Sequence, residues 1–338
     1  MPRPIASIAH LMRRIATRAL VTAAISLAVV APSQAQVIVG NTLPADFPVI
    51  VDASLDKPVI GFGAAGAVTR TPVVFVHGNN DTPFPTACNP YGRVQAFAQF
   101  LADEGGYAAS ELWALGYQGD QCDLIADPTI RSSTAHTTAA NVDDLRRFVA
   151  AVLAYTGAKQ VDIVGHSLGV IVAREWLRQD HGHAQQVVRR LVAIDGPNHG
   201  IINCSPSPLN YWQTPSLGGF TPQSAVCQEL GSPNTPFLRT LNGPGTEKPK
   251  GSVKTLVIRN ADTSFVYFPT QDGVLAGVPA IDAYDVPTDF SLSADIRGAK
   301  QRIDLTGQGI HDPILFTTHL GILNSPDTWR ATLGFLRD

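Results

Sequence analysis

QVDIVGHSLGVIVAREW, residues 160–176, passes from a short apolar run through Gly-His-Ser-Leu-Gly into a segment with helical spacing. A strand that turns into a helix this abruptly forces its central residue into a strained backbone conformation. Only small neighbours, here Gly165 and Gly169, let the adjoining chain segments pass close by. The stretch therefore predicts a Ser167 hydroxyl held out at the carboxyl end of a sheet, with the positive end of the following helix dipole behind it. The amide of Leu168 is then placed to donate to a developing negative charge. A G-x-S-x-G run by itself is weak evidence; a strand before it and a helix after it are the surroundings the motif requires.

Working outward, extended and helical patterns alternate from Thr71 onward. Pro72–Val76, Glu111–Tyr117, Val161–Val164, Leu191–Ile194 and Val253–Ile258 read as largely apolar strands, and Arg302–Leu305 as a further one. Between them, Val94, Phe97, Ala98 and Leu101 recur at helical spacing. So do Val142, Leu145, Phe148, Val149, Val152 and Leu153, in a longer helix stopped by Gly157. A further helix runs from Leu168 to about Asp180, and Ser325-Pro326 opens a last one with serine as cap and proline at the first helical position. Strands apolar on both faces and separated by helices predict an α/β fold, a mostly parallel sheet covered on both sides. Between Asn203 and Lys250 the pattern breaks into a segment rich in Pro, Ser, Gly and Asn, too long for a simple connection, which reads as an inserted cap or loop region. The run 279–299 is similarly irregular, and there is no internal repeat.

A serine hydroxyl is a poor nucleophile at neutral pH and needs an imidazole base, itself oriented by a carboxylate. With the serine on this kind of turn, the chain order is serine, acid, histidine. His311 and His319 are the histidines beyond the late strands, and His319, in the loop just before the last helix, is the stronger candidate. The acid should follow the Val253–Ile258 strand. Asp262 stands a few residues past it, with Asp272 as the alternative, while Asp282, Asp285 and Asp289 read as solvated loop charges. His77-Gly78-Asn79-Asn80-Asp81 directly follows the first strand. A loop there supplies a second oxyanion donor, assigned to the amide of Asn79, with Gly78 permitting close approach and His77 shaping the loop.

The first 35 residues read as a cleaved leader. Arg13, Arg14 and Arg18 precede the apolar run Ala19–Ala31, and Ser33-Gln34-Ala35 suits signal-peptide cleavage. The apolar part is too short to span a bilayer of about 30 Å. Residues 36–338 then form a single catalytic domain, secreted or periplasmic. The leader holds four arginines and no acid, so its removal takes the formal net charge from −3 to −7. That charge, with no basic run, argues against a nucleic-acid partner. Cys88, Cys122, Cys204 and Cys227 lack metal-site spacing and are expected to pair as Cys88–Cys122 and Cys204–Cys227, each closing a moderate loop in an oxidising compartment.

GHSLG, the HGNN loop and the THLGIL segment together resemble bacterial secreted lipases of the α/β-hydrolase superfamily. The region 71–169 also resembles extracellular polyhydroxybutyrate depolymerases of the catalytic-domain-only type, in TPVVFVHGNND, RSSTAHTTAANVDDLRRFVAAVLAYTG and QVDIVGHSLG. DGPNHG, residues 195–200, is similar to the G-x-P-x-x-G turn common in lipases. These resemblances imply an α/β-hydrolase fold, Ser167 as nucleophile, His319 as base, oxyanion amides on Asn79 and Leu168, and hydrolysis of carboxylic esters through an acyl-enzyme. They leave the acid open, because residues 260–277 depart from both patterns. They imply no metal and no organic cofactor, and a monomer acting on a hydrophobic ester or polyester. Tyr211, Trp212, Phe220, Phe265, Tyr267 and Phe268 are candidates to line a substrate groove. The expected activity is that of a secreted lipase or carboxylesterase; the alternatives are a polyester depolymerase and, in another class, a non-catalytic binding protein on the same scaffold.

Overall fold

The computed structural model of the chain describes residues 37–126, 136–206, 221–244, 247–249, 251–261, 274–275, 278–279, 281–306 and 317–338. Val37–Asp338 forms one compact unit, organised around a seven-stranded sheet. Its strands are β1 (Ile60–Phe62), β2 (Val73–Val76), β3 (Leu112–Gly116), β4 (Val161–His166), β5 (Val188–Ile194), β6 (Lys254–Asn260) and β7 (Gln301–Leu305). They lie in the order β7-β6-β5-β4-β2-β3-β1. All neighbours are parallel except β1, which runs antiparallel along β3 with Phe62 opposite Ala114.

Alternate strand residues point to opposite faces, and the side chains sort accordingly into two cores. Val74, Val76, Leu115, Ile163 and Leu191 belong to one; Phe75, Ala114, Val164, Val192 and Leu256 belong to the other. The first core is closed by α2 (Thr138–Thr156) and α3 (Leu168–Gln179), through Leu145, Phe148, Val152, Ile171, Val172 and Trp176. The second is closed by α1 (Val94–Asp103) and α5 (Pro326–Arg337), through Phe97, Leu101, Leu333 and Phe335, with α4 (Thr317–Leu323) adding Ile322 and Leu323. Central strands with both faces apolar follow directly from this double cover.

Local signals set the helix ends. The Thr137 hydroxyl caps α2 by accepting from the Ala140 amide, and Gly157 closes it in the left-handed region at φ 70°. The Ser325 hydroxyl accepts from the Asp327 amide to open α5. The disulfides are Cys88–Cys122 and Cys204–Cys227, with Cα separations of 5.1 and 5.5 Å. Within the region where the sequence pattern breaks down, two short helices form, Ala225–Leu230 and Pro236–Leu241, capped by the hydroxyls of Ser224 and Thr235. Among the described residues, no helix is long and apolar enough to cross a membrane.

Candidate active site

β4 ends at His166, and α3 begins at Leu168, so the whole change of direction falls on Ser167. Its backbone sits at φ 53°, ψ −125°, a conformation that non-glycine residues adopt at a cost of about 1–3 kcal/mol. The turn is held by the Ser167 amide donating to the Ile194 carbonyl of β5 (3.0 Å) and by the Val170 amide donating back to the Ser167 carbonyl (3.0 Å). Gly169 is needed for a close approach: a Cβ there would lie 2.2 Å from the Val76 carbonyl oxygen and 2.5 Å from that of His77.

The loop after β2 leans over the serine. A Cβ on Gly78 would come within 2.9 Å of the Ser167 Cβ. Ser167 stands at the carboxyl end of the sheet as expected, yet it is buried rather than held out, with 2% of its surface exposed. His77 lies under the loop, its ring parallel to that of Tyr117 at 4.2 Å, its nitrogens bonded to the carbonyls of Gly78 (2.8 Å) and Tyr117 (3.1 Å). The Tyr117 hydroxyl donates to the His77 carbonyl at 2.5 Å. Asn79 follows, half-buried, its side-chain oxygen accepting from Gln118 Nε2 at 3.2 Å and bonded to His136 Nδ1.

His319 is brought to the elbow, from α4 rather than from a loop. The residue before the serine holds it: His166 Nε2–H donates to the His319 carbonyl (3.1 Å), and the two rings lie 4.6 Å apart. His319 Nδ1 is 2.8 Å from Asp195 Oδ2, so the nitrogen donates and the carboxylate accepts. Asp195 follows β5 directly, in the left-handed region at φ 48°. Its other oxygen accepts from the Asn260 amide at 3.0 Å.

The carboxylate that meets His319 is therefore Asp195. Asp262 and Asp272, the expected acids, lie outside the described residues, as do His311 and the six aromatics proposed for the groove. By sequence, DGPNHG reads as a turn and the acid is expected after the next strand. The available signal was an aspartate directly after a strand that neighbours the serine's own. Asp285 and Asp289 are exposed, whereas Asp282 is buried, its carboxylate accepting from the amides of Tyr284 and Val286 and from the Thr288 hydroxyl.

Burial dominates the electrostatics. It pushes the Asp195 carboxyl well above the ordinary aspartate range, against the Asn260 amide and the Arg259 charge, which favour the anion. It holds the His319 imidazole well below the ordinary histidine range, assisted by the Arg93 charge. A neutral histidine whose Nδ1–H donates to Asp195 carries its acceptor lone pair on Nε2. That is the form able to take a proton. Among the described residues, no cluster of three or more His, Cys, Asp or Glu side chains could hold a metal.

The family profile described as lipase (class 2) matches residues 70–266, more than half of the chain. No curated protein matches the sequence. Among solved structures, a Bacillus licheniformis lipase in its mature form is 16% identical, with a TM-score of 0.49, over 82% of this chain and 97% of that one. Aspergillus fumigatus lipase B is 17% identical, with a TM-score of 0.46, over 81% of this chain and 55% of that one. With a parallel sheet, a strand–serine–helix elbow and the matched profile in hand, the chain belongs to the class 2 lipases and has the α/β-hydrolase fold.

Proposed function

We propose that the chain is a secreted serine ester hydrolase in which Ser167 is the nucleophile, His319 the base and Asp195 the acid. The observation that carries this reading is the 2.8 Å bond from His319 Nδ1 to Asp195, made beside a serine held at φ 53°. In acylation, Ser167 Oγ attacks the ester carbonyl while His319 Nε2 takes its proton. The amides of Asn79 and Leu168 stabilise the oxyanion, Leu168 being the first residue of α3, where helix N–H groups lack intrahelical acceptors. His319 then returns the proton to the departing alcohol, leaving an acyl ester on Ser167. Water, deprotonated by His319, attacks that ester and releases the acid. Asp195 holds the imidazole in the tautomer the cycle requires.

Two disulfides and a leader-like amino terminus support export to an oxidising compartment. The resemblance of residues 71–169 to polyhydroxybutyrate depolymerases gives a second reading of the substrate on the same machinery, and hydrolysis of tributyrin against amorphous polyhydroxybutyrate separates the two. The test of the machinery is a fluorophosphonate probe followed by peptide mass spectrometry. Wild-type protein should carry one adduct, on Ser167, and Ser167→Ala should carry none. Labelling that persists in Ser167→Ala overturns the assignment.

A further inference from the structure

His136 falls in the RSSTAHTTAANVDDL run, which the triad leaves without a role. It is 1% exposed and stands immediately before Thr137, the residue that caps the 19-residue helix α2. That end of α2 is also tied down by the Thr138 amide, which donates to Glu229 Oε2 at 2.6 Å. The imidazole thus stands next to the capped and tethered end of α2. Its Nδ1 bonds the side-chain oxygen of Asn79.

The neighbouring contacts fix which atom donates. Gln118 Oε1 accepts from the Asn80 amide (3.1 Å), so the other end of that side chain is its NH2 group. That group donates to the Asn79 side chain (3.2 Å), which makes the facing atom of Asn79 an oxygen. An oxygen can only accept, so His136 Nδ1 carries a proton. Its Nε2 is buried and has no hydrogen-bond partner among the described residues. A charged ring would leave an N–H unpaired there, and burial holds the His136 pKa down to about 4.

Resting on the hydrolase reading above, we infer that His136 is a positioning residue: together with Gln118, it clamps the Asn79 side chain and so aims the Asn79 amide at the oxyanion. The clamp draws on two separate parts of the chain, the residue before the cap of α2 and Gln118, two residues past β3, and both reach the same side-chain oxygen of Asn79. His136 touches no reacting atom. It acts through the direction of one backbone N–H, which matters more as charge develops on the substrate oxygen than in the ground state.

The experiment compares His136→Ala, His136→Asn and His136→Gln on a soluble p-nitrophenyl ester, with inhibition by a trifluoromethyl ketone whose hemiketal oxygen mimics the oxyanion. The Asn side chain puts an NH2 where Nδ1 stands; the Gln side chain reaches the position of Nε2 instead. His136→Ala should lower kcat about 10- to 100-fold, short of the loss for deleting a whole oxyanion donor. KM should stay within about 3-fold, and the ketone should weaken in parallel with kcat. His136→Asn should recover most of kcat and His136→Gln should not. Equal activity for Asn and Gln, or a loss confined to KM, overturns the inference. A readout on the wild-type protein needs no variant: 15N chemical shifts of the His136 ring should report a proton on Nδ1 and a bare Nε2 from pH 8 to pH 5, and the opposite tautomer refutes the clamp. Fluorophosphonate labelling of Ser167 should persist in all three variants. Its absence from the wild type would instead strike at the hydrolase reading.

Discussion

Asp195→Asn puts the proposed acid at risk with almost no change of shape. Asp195 is fully buried, one oxygen accepting from the Asn260 amide (3.0 Å) and the other from His319 Nδ1 (2.8 Å). In the variant, the Asn260 amide still needs an acceptor, so the carboxamide oxygen stays on that side and the NH2 group faces His319. Two donors cannot share a bond. His319 must move its proton to Nε2 and turn a lone pair toward residue 195, which leaves nothing on Nε2 to accept the serine proton. In triads of this geometry the wrong tautomer costs about 10^4 in kcat, or roughly 5.5 kcal/mol of barrier. The fold should not suffer, since burial disfavours the Asp195 anion and a neutral amide avoids that penalty. The assay is kcat on a soluble ester at pH 8, beside a thermal melt, for Asp195→Asn, Asp262→Asn and Asp272→Asn. The expected pattern is a loss of about 10^4 for the first, at an undiminished Tm, with the other two within about 3-fold of wild type. If Asp195→Asn keeps a tenth of wild-type kcat while Asp262→Asn or Asp272→Asn loses about 10^3 or more, the reasoning fails.

Gly169→Ala would place a methyl group 2.2 Å from one backbone carbonyl and 2.5 Å from the next, neither of which can rotate away. Overpacking of this kind costs about 1–3 kcal/mol, and because the clash falls between α3 and the loop after β2, kcat should drop by more than stability does; a urea midpoint and kcat matching wild type would count against it. Asp144 is buried with one oxygen that has no hydrogen-bond partner among the described residues, and burial, with Asp52 nearby, raises its pKa to about 7 from an ordinary 3.8. A folded pKa raised above the unfolded one means the folded chain keeps a proton the unfolded chain has lost, so this group's contribution to stability falls as pH rises from about 4 to about 7. Asp144→Asn should therefore raise Tm more at pH 8.5 than at pH 4.5, with activity within about 2-fold of wild type; an equal shift at both pH values refutes it.

The central sheet was legible because β2 to β6 are largely apolar on both faces and bounded by helical spacing; the edge strand β7, which carries Gln301, Arg302 and Asp304, falls on the stretch 302–305 without that contrast. The elbow was legible for a stronger reason, since Gly165 and Gly169 are required by close backbone contacts and leave a local trace. Less visible was β1, three residues with Gly61 in the middle, too short to show a period. The helices 225–230 and 236–241 did carry signals, Ser224, Thr235 and Pro236 at their starts, lost in a composition that reads as loop. Asp195, the proposed acid, was not legible because standing directly after a strand does not by itself mark an acid. An acid is chosen by which strand lies beside the serine's strand and where α4 delivers His319, and both are properties of the assembled sheet.

That assembled sheet also explains a shared oddity of the two residues. Ser167 and Asp195 each directly follow a strand, and both have positive φ, at 53° and 48°. The strands are neighbours in register, with His166 opposite Ile194, so the two side chains leave the sheet edge side by side. Each backbone is pinned by the next strand over: the Ser167 amide donates to Ile194, and the Asp195 amide donates to Ile258. A left-handed turn at such a point would relax if the next residue could simply extend the strand. Here the amide is already committed to the neighbouring carbonyl, so relaxing would cost a buried hydrogen bond, about 1–3 kcal/mol and comparable to the strain itself. The strain persists because the ladder outlasts it. The ladder extends its pairing one residue beyond β4 and β5, and those two residues carry the proposed nucleophile and acid.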